Sequence, residues 1–134
     1  MDHFAVYFFA DDLRFFRHSG RVSGLAGTMG TLLGIRPIIH MDENGKMVSV
    51  GKEKGRFNAI SRLVSTVEEL GDHLSDHRII VAHADSQDIA EETIRMLKER
   101  LGDSLRIELT NVNPTAGSHC GPNTVGVSFH AIHR

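Results

Sequence analysis

The chain reads as a two-layer α+β domain, a mixed and mostly antiparallel sheet of about six strands covered by helices on one face. Three observations predict it. Six short segments have the apolar content and flanking turn residues of strands, and four others carry apolar residues at helical spacing. They follow one another as β-α-α-β-β-α-β-α-β-β, with one hairpin and otherwise short connections. At 134 residues, 40% of them apolar and 24% charged, the chain has material for one core and no marker of a second domain.

Phe4 to Phe9 is a continuous, aromatic-rich apolar run, the pattern of a buried strand. Asp11 and Asp12 then cap a short helix through Leu13, Phe16 and Arg17 that ends at Gly20. Ser23 caps a second helix, whose Leu25, Met29, Leu32 and Leu33 form a broad apolar stripe closed by Gly34. Inside it, Gly27 and Gly30 each cost about 1 kcal/mol relative to alanine, which points to the close approach of some other group to that helix.

Arg36-Pro37 forces extended backbone and starts a strand that runs to Met41. Asp42-Glu43-Asn44-Gly45 signals a tight hairpin, with Lys46 to Val50 as the antiparallel return. Phe57, Ile60, Leu63, Val64, Val67 and Leu70 recur at helical spacing before Gly71 ends that helix. Arg78 to His83 is the next strand, and Asp85 or Ser86 caps a helix carrying Ala90, Ile94, Leu97 and Leu101 on one face. Glu91 and Arg95 are placed to pair across one turn of its outer face. Leu105 to Val112 alternates as a strand, Asn113 to Asn123 is a loop punctuated by glycine and proline, and Thr124 to Ile132 closes the sheet.

Composition removes several function classes. A net charge of −2 and a pI near 6.5 supply no global field for nucleic acid, so any anion must be held locally. Cys120 is the only cysteine, which excludes an intramolecular disulfide and makes a reducing cytoplasm the expected compartment. Met1-Asp2-His3 lacks the basic start of a signal peptide, and no apolar run approaches the roughly 20 residues of a membrane span. No dinucleotide fingerprint, P-loop or nucleophile elbow is present, so no cofactor is implied and no catalytic constellation assembles.

Nine histidines raise the question of metal. His130 and His133 stand three apart on a strand and so face opposite ways, and His73 and His77 follow the glycine that ends their helix. Neither pair chelates, and no metal is expected. His119 lies in Thr115-Ala116-Gly117-Ser118-His119-Cys120-Gly121-Pro122-Asn123, where Gly117 and Gly121 leave backbone N–H groups open to an anion and Ser118 and His119 add donors. That loop either holds a carboxylate or phosphate, or is a plain strand connection. Cys120 has no orienting group for a nucleophile and reads as an inert thiol. Arg21, between Gly20 and Val22, is either a surface cation or a fork presented to a carboxylate. Arg56, after Lys52-Glu53-Lys54-Gly55, begins a helix, where a cation opposes the macrodipole; it is either part of a solvated charge run or set against a charge on a ligand or partner.

Ser19 to Pro37, the hairpin at Asn44-Gly45, Lys54-Gly55-Arg56, Val81-Ala82-His83-Ala84-Asp85 and Gly117-Ser118-His119-Cys120-Gly121-Pro122 occur in the order seen in the DegV family. Over nearly its whole length the chain resembles the C-terminal domain of that family. The resemblance implies a non-enzymatic fatty-acid-binding protein that presents an acyl chain to a separate fatty acid kinase. It places the carboxylate at Arg21 and His119, and assigns kinase contact to Arg56. The family's N-terminal domain, which completes the site, has no counterpart in these 134 residues. Asn123 stands where the family has a glycine.

Two functions are expected to compete. In the first, an acyl chain lies along Leu25, Met29 and Leu32, with its head group fixed by Arg21, Gly117, Ser118 and His119 and with membrane contact limited to lipid exchange. In the second, the domain is a lipid-free interaction module whose Gly27 and Gly30 face docks a partner domain or a second copy.

Overall fold

The computed structural model describes residues 4–10, 22–23, 35–41, 44, 46–111 and 124–131. These form strands β1 (Phe4–Ala10), β2 (Val22–Ser23), β3 (Ile35–Met41) and β4 (Met47–Lys54), helix α1 (Arg56–Leu70), strand β5 (Ile79–Ala84), helix α2 (Gln87–Leu101) and strands β6 (Ile107–Asn111) and β7 (Thr124–His130). The sheet order is β2-β4-β3-β1-β7-β5-β6. Pairings β1/β3, β1/β7, β3/β4 and β5/β7 are antiparallel, while β2/β4 and β5/β6 are parallel. The mixed, mostly antiparallel α+β sheet is thus present, as six longer strands and the two-residue β2.

Both described helices pack on one face of this sheet. Ala5 and Phe9 of β1, Ile38 of β3, Ile79 and Val81 of β5, and Val125, Val127 and Phe129 of β7 meet Ala59, Ile60, Leu63, Val64 and Val67 of α1 and Ile89, Ala90 and Leu97 of α2 in one buried cluster. Strand alternation sends the intervening residues to the other face. There Phe8, Ala10, Ile39 and Met47 form a second, smaller cluster with Ile35 and Met41 beside it. Arg100 joins the two helices, its guanidinium donating to the hydroxyls of Ser61 and Ser65, both at 2.8 Å.

Several local expectations are corrected. Phe57 belongs to the apolar period of α1 yet is 63% exposed, because it lies in the first turn, ahead of Ala59 and Ile60 where burial begins. The hairpin is real, with Met41 opposite Met47, but five residues join its strands and the return reaches Lys54. Ser23 is the second residue of β2 beside Val48, and the helix it is expected to cap lies outside the described residues. Glu91 accepts a hydrogen bond from Gln87 at 3.0 Å in place of the expected Arg95 pairing. The helices expected over residues 11–20 and 23–34 and the loop 113–123 lie outside the described residues, Val22 and Ser23 excepted.

Candidate functional site

One end of the sheet carries Arg56 and the strand ends that flank the segment of Gly117, Ser118 and His119. β1 ends there at Ala10, β3 begins at Ile35, β4 ends at Lys54, β5 ends at Ala84, and β6 stops at Asn111 where β7 begins at Thr124. Both helices also start at this end, since each follows directly on a strand that finishes there. Residues 112–123, with Gly117, Ser118 and His119, connect Asn111 to Thr124, the ends of the two strands flanking β5. Arg21, Leu25, Met29, Leu32, Gly117, Ser118 and His119 lie outside the described residues. Val22 and Ser23, next to Arg21, stand opposite Met47 and Val48 at the hairpin end of β4.

The end of β5 is built around His83, a buried residue only 4% exposed. Its Nδ1 accepts the Ser86 backbone N–H at 3.0 Å, which leaves the ring proton of the neutral imidazole on Nε2. The Ser86 hydroxyl donates to the Ala84 carbonyl at 3.0 Å, and Ala90 N–H closes the first turn of α2 onto the Ser86 carbonyl at 3.0 Å. Asp85 takes the left-handed conformation, φ 54°, that the abrupt reversal needs and that aspartate tolerates better than most residues. The Val81-Ala82-His83-Ala84-Asp85 stretch is therefore a strand-to-helix turn tied by the histidine ring. No periodicity could have announced that role, although a histidine three residues before a serine at a helix start was a visible hint.

Arg56 is the one candidate residue that the structure describes. It occupies the first position of α1 after Gly55, whose φ of 85° favours glycine, with no side-chain cap and no acidic residue in the first turn. Its guanidinium is 3.7 Å from the Asp88 carboxylate in the first turn of α2, and both side chains are largely exposed, 46% and 78%. The charge expected to compensate Arg56 thus comes in part from the neighbouring helix. An ion pair this long and this exposed contributes little.

At the opposite end stands a cluster that sequence spacing did not suggest. The rings of His77 and His130 stack face to face with centroids 3.9 Å apart, and Phe4 meets each edge-on. His130 Nδ1 lies 2.9 Å from the Asp72 carbonyl, and Asp72 N–H returns a bond of 2.9 Å to the His130 carbonyl. Long-range pairing of chain segments makes these contacts, and no local pattern encodes them. No helix among the described residues is long and apolar enough to cross a membrane.

A family model described as an uncharacterised protein of the DegV family matches residues 1–131. A DegV domain-containing protein of Streptococcus pyogenes is 35% identical over 124 residues, which is 91% of this chain and 41% of the relative. Among solved structures, a fatty acid binding DegV family protein from Streptococcus agalactiae superposes with a TM-score of 0.77 at 27% identity, over 96% of this chain and 44% of that one. The Fatty Acid Kinase (Fak) B3 protein of Streptococcus pneumoniae, loaded with linoleic acid, has the same fold at a TM-score of 0.81 and 16% identity, over 96% of this chain and 45% of that one. The chain spans less than half the length of the proteins it matches. On the match over residues 1–131, the chain belongs to the DegV family.

Proposed function

We propose that this chain is the C-terminal, acyl-binding half of a cytoplasmic fatty-acid-binding protein that presents its bound carboxylate to a separate fatty acid kinase. The observation that carries the reading is the joint likeness in sequence and fold, 27% identity with a TM-score of 0.77, to a fatty acid binding DegV family protein. The two-faced sheet supports it, because the described helices cover one face and the other carries a second apolar cluster, Phe8, Ala10, Ile39 and Met47, itself buried.

In this reading the acyl chain lies along Leu25, Met29 and Leu32, where burial contributes about 0.8 kcal/mol per CH₂. Gly117, Ser118 and His119, with Arg21, fix the carboxylate. Desolvation makes those few polar contacts decisive for its orientation. Chemistry on the carboxylate belongs to the kinase, which Arg56 engages through its loosely paired guanidinium. The remaining wall of the site comes from the N-terminal domain of the family, and membrane contact serves lipid exchange.

Native mass spectrometry of protein purified from cells tests the ligand. A co-purified long-chain fatty acid is expected; its consistent absence, with the chain alone and with any separately encoded N-terminal half, overturns the reading. Kinase engagement is tested with Arg56→Glu, which is expected to keep the fatty acid and to lower acyl phosphate formation by about tenfold or more.

A further inference from the structure

The register of β4 changes side at Val50. Ser49 stands opposite Ile39 and Gly51 opposite Ile38, so Val50 is an extra residue, a β-bulge, and the alternation of the strand reverses across it. Before the bulge, Met47 faces away from the helices and Val48 toward them; after it, Gly51 and Glu53 face the helices and Lys52 and Lys54 face away. Arg62 of α1 confirms the assignment. Its guanidinium lies directly over Gly51, where an added Cβ would sit 2.9 Å from Nη2, and its Nη1 donates to the Glu53 carboxylate at 3.1 Å. Without the bulge the two lysines would point at α1.

We propose that Lys52 and Lys54 are a head-group site that takes the added negative charge of a phosphorylated acyl ligand, and so set the preference of this chain between an acyl phosphate and a free fatty acid. The proposal rests on the acyl-binding reading above. Lys52 stands opposite Pro37 and Lys54 opposite Ile35, on the face that also carries Ile39, so two exposed cations border the buried apolar cluster of that face. They also lie at the end of the sheet where β1 stops and β7 begins. Two strands, β3 and β1, separate the strands of Lys52 and Thr124, three steps of the sheet or about 14 Å.

Their chemistry fits the extra charge better than the carboxylate itself. Neither lysine forms an ion pair with a described residue, in contrast to Arg56, Arg62 and Arg78, whose carboxylate partners are Asp88, Glu53 and Glu108. A lysine is a mobile point charge suited to phosphate, whereas planar two-point recognition of a carboxylate is the strength of arginine. A second role is open to the same residues. The outer edge of β4 from Ser49 onward has no partner among the described strands, and lysines on an edge discourage pairing with another chain.

The experiment measures dissociation constants for palmitate and hexadecyl phosphate at low ionic strength, with the parent chain, Lys52→Gln/Lys54→Gln, and Lys98→Gln on the exposed side of α2 as a control for net charge. The double variant is expected to bind hexadecyl phosphate about tenfold more weakly, to bind palmitate within about twofold of the parent, and to lose this difference in high salt. Equal weakening for both ligands, no change for either, or the same shift in Lys98→Gln overturns the proposal. A double variant that self-associates in sedimentation velocity with an unchanged ligand ratio assigns the lysines to edge protection and overturns it too. A parent chain that binds neither ligand, alone and together with any separately encoded N-terminal half, overturns the acyl-binding reading itself, and this inference with it.

Discussion

The two faces of the sheet are made by the same strands and are specified by different physics. Toward the helices, Phe9, Ile38, Val81, Val127 and Phe129 interdigitate with Ile60, Leu63, Val64 and Leu97, all at most 1% exposed. That face is decided by apolar volume. On the other face, the buried apolar cluster is Phe8, Ala10, Ile39 and Met47 of β1, β3 and β4, while β5 adds only the half-buried Ile80, opposite Ser128. Across β7 and β5 it steps down to Gly126 opposite Ala82 and to Thr124 opposite Ala84, then meets the 2.6 Å Arg78–Glu108 ion pair at β6. Shape and charge vary there, while packing against the helices holds the fold from behind.

The largest expected effect sets the two faces apart most sharply. Phe9→Ala removes a fully buried ring from the helix side, and a loss of about 4 kcal/mol in urea unfolding is expected. Gly126→Ala tests the other side of the same strand pair. Its new Cβ would sit 2.8 Å from the Phe8 Cβ and 3.1 Å from the Tyr7 carbonyl oxygen, neither of which is the free end of a flexible chain. Overpacking of this kind should cost about 2 kcal/mol, read as a lower urea midpoint with helical circular dichroism retained. A Gly126→Ala cost equal to or above that of Phe9→Ala would break the distinction between a face set by packing and one set by shape.

The helix side was largely legible in the sequence, because its information is periodic. The spacing of Ile60, Leu63, Val64 and Val67 predicts the buried stripe of α1, and Gly71 and Ser86 mark helix boundaries where they are found. The other side was less legible, because its determinants are relations between distant segments. Nothing local shows that β1 lies between β3 and β7 or that one extra residue at Val50 turns Lys52 and Lys54 over. Even a correct period misled at Phe57, since periodicity gives a direction around the helix axis and not where along the axis the sheet begins. For the site, Arg56 was picked out by a charge set against the helix dipole, and the structure finds that charge partly answered by Asp88. The role of His83 was not derivable, because it rests on which ring nitrogen meets the Ser86 N–H.

The smallest expected effect tests whether the helix face stays closed at the hairpin end. Tyr7 points to that side, stacks on His40 with ring centroids 4.6 Å apart, and has its phenol pushed above the ordinary value of 10.0, first by burial and second by the Glu69 carboxylate. It is the only tyrosine, and the chain has no tryptophan, so phenolate absorbance in the near ultraviolet reports it alone. In urea the phenol should titrate near its ordinary value, and in the folded protein later. Because the folded state holds the proton more tightly, the stabilisation it adds is fully present below pH 10 and is lost as the pH rises through the higher folded value. Glu69→Gln removes the second cause alone and should bring the folded titration part of the way back, leaving the part due to burial. A folded titration that coincides with the one in urea would mean that water reaches the Tyr7 hydroxyl, and the helix face would then be closed only toward the other end of the sheet.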